Sequence, residues 1–358
     1  MPGTAFSAAN WSGYDSASWT PASSVTDFSI LIDVSTLSAS WKAAVQSDGA
    51  DIRVTKPDGT TELAYDLIDW AYNEGAPTGL IRAQYTGASG TSALAPRVYA
   101  GYTLGTAIAY GVSEPYGQYN AYDSSWIDYR PDGGQTDRTS GRTGTAGGSV
   151  TVGGATGKIL SATTYDGTDD YVSIADEAAL EPSGALTVSM WLKSNQTGNK
   201  VIWEKDANVL SMQRAPGDEQ LKMNVGGAGA EIGSDADAAS GLWDNSWFHG
   251  AIIFDGSTSG KAYIDGVDDT RATPNPMSPT FSTGPVYIGS RGGSYGFAGD
   301  LCEIAYHDGE RAAAWIAEER AQVNSQSTFW GTWAWTTAAD TSHPWGIHRP
   351  AFHTHLRR

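Results

Sequence analysis

The sequence predicts an all-β protein: two β-sandwich or jelly-roll domains, a short C-terminal helix and an extended C-terminal arm. Three observations carry this reading. Short segments alternate apolar and polar residues, the period of a strand with one buried face. Asp-Gly and Pro-Asp-Gly turns separate them. The composition is turn-heavy and β-like, with 43 glycines, 14 tryptophans and 17 tyrosines in 358 residues. That length accommodates two or three domains with a substantial core.

The first domain is expected over residues 1–120. Its strand candidates are Phe28–Val34, Ile52–Thr55, Leu80–Tyr85 and Arg97–Tyr102, with turns at Asp48-Gly49 and Lys56-Pro-Asp-Gly59. A Gly/Thr/Ser-rich stretch then runs from Asp132 to Gly157. It reads either as a flexible linker or as the long first loop of a second sandwich opened by Ser125–Tyr129. The strand-like Ser149–Val152 within it favours the loop.

The second domain is expected over residues 121–308. Tyr165–Ile174 places an acidic Asp-Gly turn before an alternating strand, and Leu186–Leu192 follows as a second strand with one buried face. Val201–Lys205, Gln220–Val225, Trp247–Phe254, Lys261–Ile264, Pro285–Gly289 and Leu301–Tyr306 continue at sandwich spacing, punctuated by Asp255-Gly256 and Asp265-Gly266. Residues 309–358 begin with an Ala-rich helix, Glu310–Val323, with Ala312, Trp315, Ile316 and Val323 roughly on one face. The aromatic run Phe329–Trp335 and a histidine-rich tail complete the chain. From His343 onward that tail has no acidic residue and carries three arginines.

Charge excludes some functions. The net charge of -18, from 40 acidic and 22 basic residues, repels phosphate backbones, so no nucleic-acid partner is expected. The acidic surplus reads as a solvated surface or, more sharply, as carboxylate-lined calcium sites. Cys302 is the only cysteine, so no internal disulfide forms. Its apolar run Asp300–Ile304 assigns it a packing role. The opening Met-Pro-Gly-Thr-Ala-Phe-Ser lacks a basic segment and an apolar core, so no secretory signal is expected. No run of about 18 apolar residues exists, so no membrane insertion is expected.

Tyr165–Ile174, Ala185–Lys193, Trp247–Asp255, Lys261–Val267 and Phe297–Tyr306 together resemble the LamG-like, concanavalin A-like jelly-roll family. The quoted features are the aromatic-Asp-Gly turn, Asp-Tyr-Val, Trp247-Phe-His249, Tyr263-Ile-Asp-Gly266 and the closing Leu301-Cys-Glu-Ile304. Asp48–Val54, Asp58-Gly59 and Leu63–Trp70 are similar to an uncharacterised β-domain family commonly found next to LamG-like modules. The helix with Trp315-Ile316 is similar to that family's end. This resemblance implies that the jelly roll is an insertion and that the C-terminal segment packs on the N-terminal domain.

Glycoside hydrolases of the concanavalin A-like fold use a Glu-x-Asp-x-x-Glu strand that places its carboxylates on one face. Here Glu204-Lys-Asp206 is followed by Val209 in the second Glu position, and a strand-end turn is the better reading. His249 and His307 lie near no nucleophile motif, so no catalytic residue is expected and the protein is read as a non-enzyme. The resemblance implies one Ca²⁺, with Asp166, Gly167, Asp169, Asp170 and Asp300 as candidate ligands by position; Cys302 stands where the family has an aspartate. Flat side chains that could stack on a sugar are Trp203, Trp243, Tyr295 and Phe297, whereas Trp191 and Trp247 sit in core-like alternation. In the tail, Trp345, His353, His355 and Arg357 are candidate anchors of an arm that docks on a neighbour. Alternatively, three His353-Thr-His355 pairs in a trimer supply six imidazoles to one transition metal.

These readings favour a non-catalytic structural or adhesive protein of a bacteriophage virion: a head decoration, fibre or tail component. Its partners would be other virion proteins or further copies of itself, and its LamG-like module would bind a glycan or surface. LamG-like sandwiches usually face the outside of cells, and a virion component reaches the outside by lysis without a signal. The alternatives are a cell-surface carbohydrate-binding protein at the extracellular surface and a polysaccharide-cleaving hydrolase.

Overall fold

The computed structural model describes residues 6–337, apart from residues 26, 74, 86–92, 106, 108, 183, 208, 216–218, 228, 238–240, 272–274 and 277. The chain is nearly all antiparallel β. The proposed tail anchors Trp345, His353, His355 and Arg357 lie outside the described residues.

The first sandwich packs a three-stranded sheet, ordered Phe28–Asp33, Thr78–Tyr85, Tyr65–Ala71, against a five-stranded one. The five-stranded sheet is ordered Ala334–Thr337, Trp11–Ser16, Arg97–Tyr102, Arg53–Thr55, Glu62–Leu63. Its outermost member comes from the other end of the chain: Thr337 pairs with Gly13, Thr336 with Tyr14 and Ala334 with Ser16. Gly13 has no side chain for a reason of space. A Cβ there would meet the Thr336 carbonyl at 2.4 Å and the Trp335 ring at 2.5 Å.

The predicted C-terminal helix spans Ala313–Asn324 and covers the Phe28–Asp33 edge strand. An edge strand leaves a row of backbone donors and acceptors unpaired, and these need partners when buried. Glutamine side chains supply them here. The Leu31 N–H donates to Gln322 Oε1 and the Asp33 N–H to Gln326 Oε1, both at 2.8 Å. The Leu31 carbonyl accepts from Gln326 Nε2 (3.1 Å) and Trp330 Nε1 (2.9 Å). Glu318 accepts from Trp19 Nε1 and the Ala22 N–H in the same way. Gln322 lies in the last turn of this helix, and Gln326 opens a separate short helix, Gln326–Phe329, after the extended Ser325.

The second sandwich stacks two larger sheets. One is ordered Thr151–Thr156, Ser161–Asp166, Ala298–Asp308, Leu186–Lys193, Phe248–Phe254, Gly260–Ile264, Val267–Asp268, with Trp126–Arg130 also paired to Ala298–Asp308. The other is seven-stranded: Glu231–Gly233, Leu221–Val225, Leu210–Arg214, Lys200–Lys205, Val286–Ile288, Tyr171–Ile174, Thr145–Gly147. The Gly-rich stretch after Asp132 therefore contributes strands to both sheets. Tyr171–Ile174 and Leu186–Lys193, adjacent in sequence, fall in opposite sheets. Between the sheets lies one core, including Trp203, Met212, Met223, Ile288, Phe297 and Tyr306.

A second core joins the two sandwiches. It combines Trp19, Phe28, Ile30 and Trp41 of the first with Trp191, Ile253, Cys302 and Ala305 on the outside of the second. The switch between cores occurs within Ala298–Asp308. Leu301, Ile304 and Tyr306 face the inner core, and Cys302 and Ala305 the junction. Glu303, in the left-handed region at φ 52°, is the extra residue of a bulge that keeps both alternations in step.

That bulge aims Glu303 at a buried polar network. Its Oε2 accepts from Arg82 Nη2 of the first sandwich (3.0 Å) and from the Tyr129 hydroxyl (2.6 Å). Arg82 Nη2 also donates to Glu319 Oε1 of the helix (3.0 Å), whose Oε2 accepts from Gln322 Nε2. One guanidinium thus holds carboxylates from the inserted sandwich and the C-terminal helix. Burial dominates at Glu303 and pushes its carboxyl up to about 7.

Candidate functional site

Strand alternation decides which side chains the seven-stranded sheet turns away from its core. Val172, Ile174, Val286, Ile288, Trp203, Leu210, Met212, Met223, Val225 and Ile232 all point inward. Their neighbours on the strands face outward, and the register puts them in one continuous row. Thr145 stands opposite Ser173, Ser173 opposite Tyr287 and Tyr287 opposite Glu204. Glu204 stands opposite Ser211, Ser211 opposite Asn224 and Asn224 opposite Glu231.

The middle of this row is polar and yet sheltered. Glu204 is 1% exposed, Ser211 0%, Asn224 5% and the adjacent Gln213 3%. Gln213 Nε2 donates to Ser211 Oγ (2.8 Å), but the buried Asn224 Oδ1 has no hydrogen-bond partner among the described residues. A buried acceptor without a partner is costly unless a ligand or water supplies the donor. Glu204 is gripped by Arg291, whose Nε lies 2.9 Å from Oε2 and whose Nη2 lies 2.7 Å from the same oxygen. Arg291 belongs to the loop after Val286–Ile288 and lies 5.2 Å from the ring of Tyr295, which is 51% exposed. At the far edge, Lys222 and Arg271 both pair with Glu231.

Of the four aromatics proposed for sugar stacking, only Tyr295 is exposed. Trp203 is buried because it sits opposite Met212 and Ile288 on the core side of its strand, edge-on to Tyr306 at 4.9 Å. Phe297 is likewise a core residue, fully buried. Trp243 is 6% exposed, held between Phe248 and the Arg214 guanidinium, with its indole N–H on the Glu219 carbonyl. Outer-face residues such as Asn224, Ser211 and Gln213 escaped the sequence reading, which looked for aromatics. The alternation of Leu210–Arg214 and Leu221–Val225 is the signal that would have found them.

Among the proposed calcium ligands, Asp166, Asp169 and Asp170 come together, each offering a carboxylate oxygen within 4.8 Å of the others. This all-oxygen set suits a hard cation in kind. Asp170 is also a turn-former: its oxygens accept from the Ser149 N–H (2.7 Å) and the Asp166 N–H (3.0 Å). Gly167 takes φ 81°, with Ala298 and Gln196 too close for a Cβ. Asp300 does not join the trio; it accepts from the Thr164 hydroxyl and pairs with Lys193 Nζ at 3.1 Å.

His249 and His307 are buried, and burial lowers the basicity of both rings. Neither forms a hydrogen bond to a serine hydroxyl among the described residues. Among those residues, too, no helix is long and apolar enough to cross a membrane.

Residues 166–317 match the family model of the concanavalin A-like lectin/glucanases superfamily. This segment is a LamG-like jelly roll. Solved structures similar to the chain include the binding domain of botulinum neurotoxin DC in complex with SialylT, at 11% identity and a TM-score of 0.45, covering 56% of this chain and 52% of that one. Another is domain 4 of AbnA, an extracellular arabinanase from Geobacillus stearothermophilus, in complex with arabinotriose. It shows 20% identity and a TM-score of 0.45, covering 55% of this chain and 98% of that one. The chain spans about half the length of the neurotoxin domain. No curated protein sequence matches it.

Proposed function

We propose that this protein is a non-catalytic binding protein whose LamG-like jelly roll holds a glycan on the outer face of its seven-stranded sheet. The observation that carries this is the row Tyr287, Glu204, Ser211, Asn224, with sheltered amide, hydroxyl and carboxylate groups and an unpartnered Asn224 Oδ1. Directional donors and acceptors on a rigid sheet suit a polyhydroxylated ligand. Tyr295 beside Arg291 adds one exposed aromatic at the margin.

Geometry argues against hydrolysis by this row. Its two carboxylates, Glu204 and Glu231, are three strands apart, roughly 14 Å at about 4.8 Å per strand. Paired glycosidase carboxyls stand roughly 5–9.5 Å apart. Arg291 further occupies Glu204 in an ion pair at 2.7 Å.

A glycan array probed with labelled protein tests the binding. Saturable signal that falls in Asn224→Ala and Arg291→Ala supports the proposal; signal unchanged in both, or none on any glycan, overturns it. We further place the protein on the outside of a virus particle. The acid-free, arginine-bearing sequence from His343 to Arg358 supports this, being suited to dock on a larger acidic assembly. Absence from purified particles would sink that part alone. A calcium ion at Asp166, Asp169 and Asp170 belongs to the same proposal.

A further inference from the structure

A second cleft lies on the jelly roll, at the ends of strands in the other sheet. It has a volume of about 240 Å³ and lies where the chain enters Phe248–Phe254 and leaves Gly260–Ile264. Leu242 and Phe248, both buried, and the half-buried Ile264 and Trp247 form its apolar lining. The polar lining is the exposed Asp244 and Ser246 and the half-buried Asp265, so the cleft is most polar at its mouth. Trp247, which alternation assigns to a core, is half-buried and packs against the junction core one residue ahead of its strand, with Lys193 Nζ 5.9 Å from its ring.

Asp244 Oδ1 accepts from the Ser246 N–H at 2.9 Å. Asp265 Oδ1 accepts from the His249 N–H (3.2 Å) and from Arg320 Nε (3.4 Å). Among the described residues neither Oδ2 has a hydrogen-bond partner, so each carboxylate keeps an acceptor for an incoming hydroxyl. Arg320 pairs with Asp265 (3.4 Å), whereas Lys193 is taken up by Asp300, so the carboxylates at the mouth disfavour an anion. The volume falls below the roughly 300–1,000 Å³ typical of drug-sized sites, which limits the occupant to about one ring.

We propose that this cleft binds a single neutral sugar ring, its apolar face on the Trp247 indole and its hydroxyls donating to Asp244 and Asp265. The site is separate from the outer-face row, since its strands belong to the opposite sheet. It would make the jelly roll bivalent, with the gain in avidity that two linked sites give.

Saturation-transfer NMR on the full-length protein tests it, using the methyl glycosides of glucose, galactose, mannose and N-acetylglucosamine as probes. At least one should receive saturation. That transfer should weaken roughly tenfold or more in Trp247→Ala and in Asp244→Asn, and persist in Asn224→Ala. Asp244 is exposed, so its variant keeps the test valid if Trp247→Ala unfolds. Absence of transfer from all four probes, or transfer that survives Asp244→Asn, overturns the proposal. An effect of Asn224→Ala alone would assign the binding to the outer face instead.

Discussion

Glu303 sits where the inserted jelly roll meets its host, with one carboxylate oxygen on Arg82 and Tyr129 and the other, Oε1, buried without a partner. Burial raises its carboxyl from 4.5 to about 7. The unfolded chain releases this proton near pH 4.5, whereas the folded protein keeps it to about pH 7. Between those values the native state binds more protons than the unfolded state, so stability falls as pH rises and levels off above about 7. At about 1.4 kcal/mol per tenfold change in proton affinity, the loss is about 3 kcal/mol. Glu303→Gln replaces the titrating group with a permanently neutral one. Urea unfolding of both proteins should then give a stability difference, variant minus wild type, about 3 kcal/mol more favourable to the variant at pH 8 than at pH 4. Comparing differences cancels any fixed cost of packing the amide. Parallel pH profiles for the two proteins would refute the reasoning.

Other outcomes follow from the same geometry. Gln322→Ala should destabilise by about 1–3 kcal/mol in urea melts, because the buried Leu31 N–H loses its acceptor. Trp203→Ala should cost about 3–5 kcal/mol as a core cavity, measured by chemical denaturation. The Cys302 thiol, buried and held toward its protonated form by desolvation, should stay inert to an aromatic disulfide reagent until the protein unfolds, read by absorbance. If Asp166, Asp169 and Asp170 hold calcium, millimolar Ca²⁺ should raise the melting temperature of the wild type and not of an Asp166→Asn, Asp169→Asn double variant.

Much of the fold was legible because alternation and turn chemistry are local. Arg97–Tyr102 occupies its predicted span, and Phe28–Asp33, Leu186–Lys193 and Gly260–Ile264 differ by a residue at an end. Strands that lack an alternating apolar signal were read only in part or missed. The strand-like Ser149–Val152 reaches only the first two residues of Thr151–Thr156, which carries two glycines, and Ala334–Thr337, exposed on most of its residues, was not read as a strand. Candidate binding residues fared worse, because an isolated aromatic does not reveal which sheet face it occupies. Trp203 and Phe297 went to the core, while the unremarked Asn224 and Gln213 lie on the outer face.

The sequence by itself determined the all-β class, the Asp-Gly turns and the order of the jelly-roll motifs, since each depends on residues within about ten positions. Tertiary structure alone decided that Glu303 meets Arg82 and that Gln322 completes an edge strand 291 residues away. It also decided that Ser211, Asn224 and Glu204 form one row. Those contacts are set by register, and a one-residue bulge, as at Glu303, reverses which face every later side chain reaches. No local pattern encodes that choice; the packing of the two cores against each other makes it.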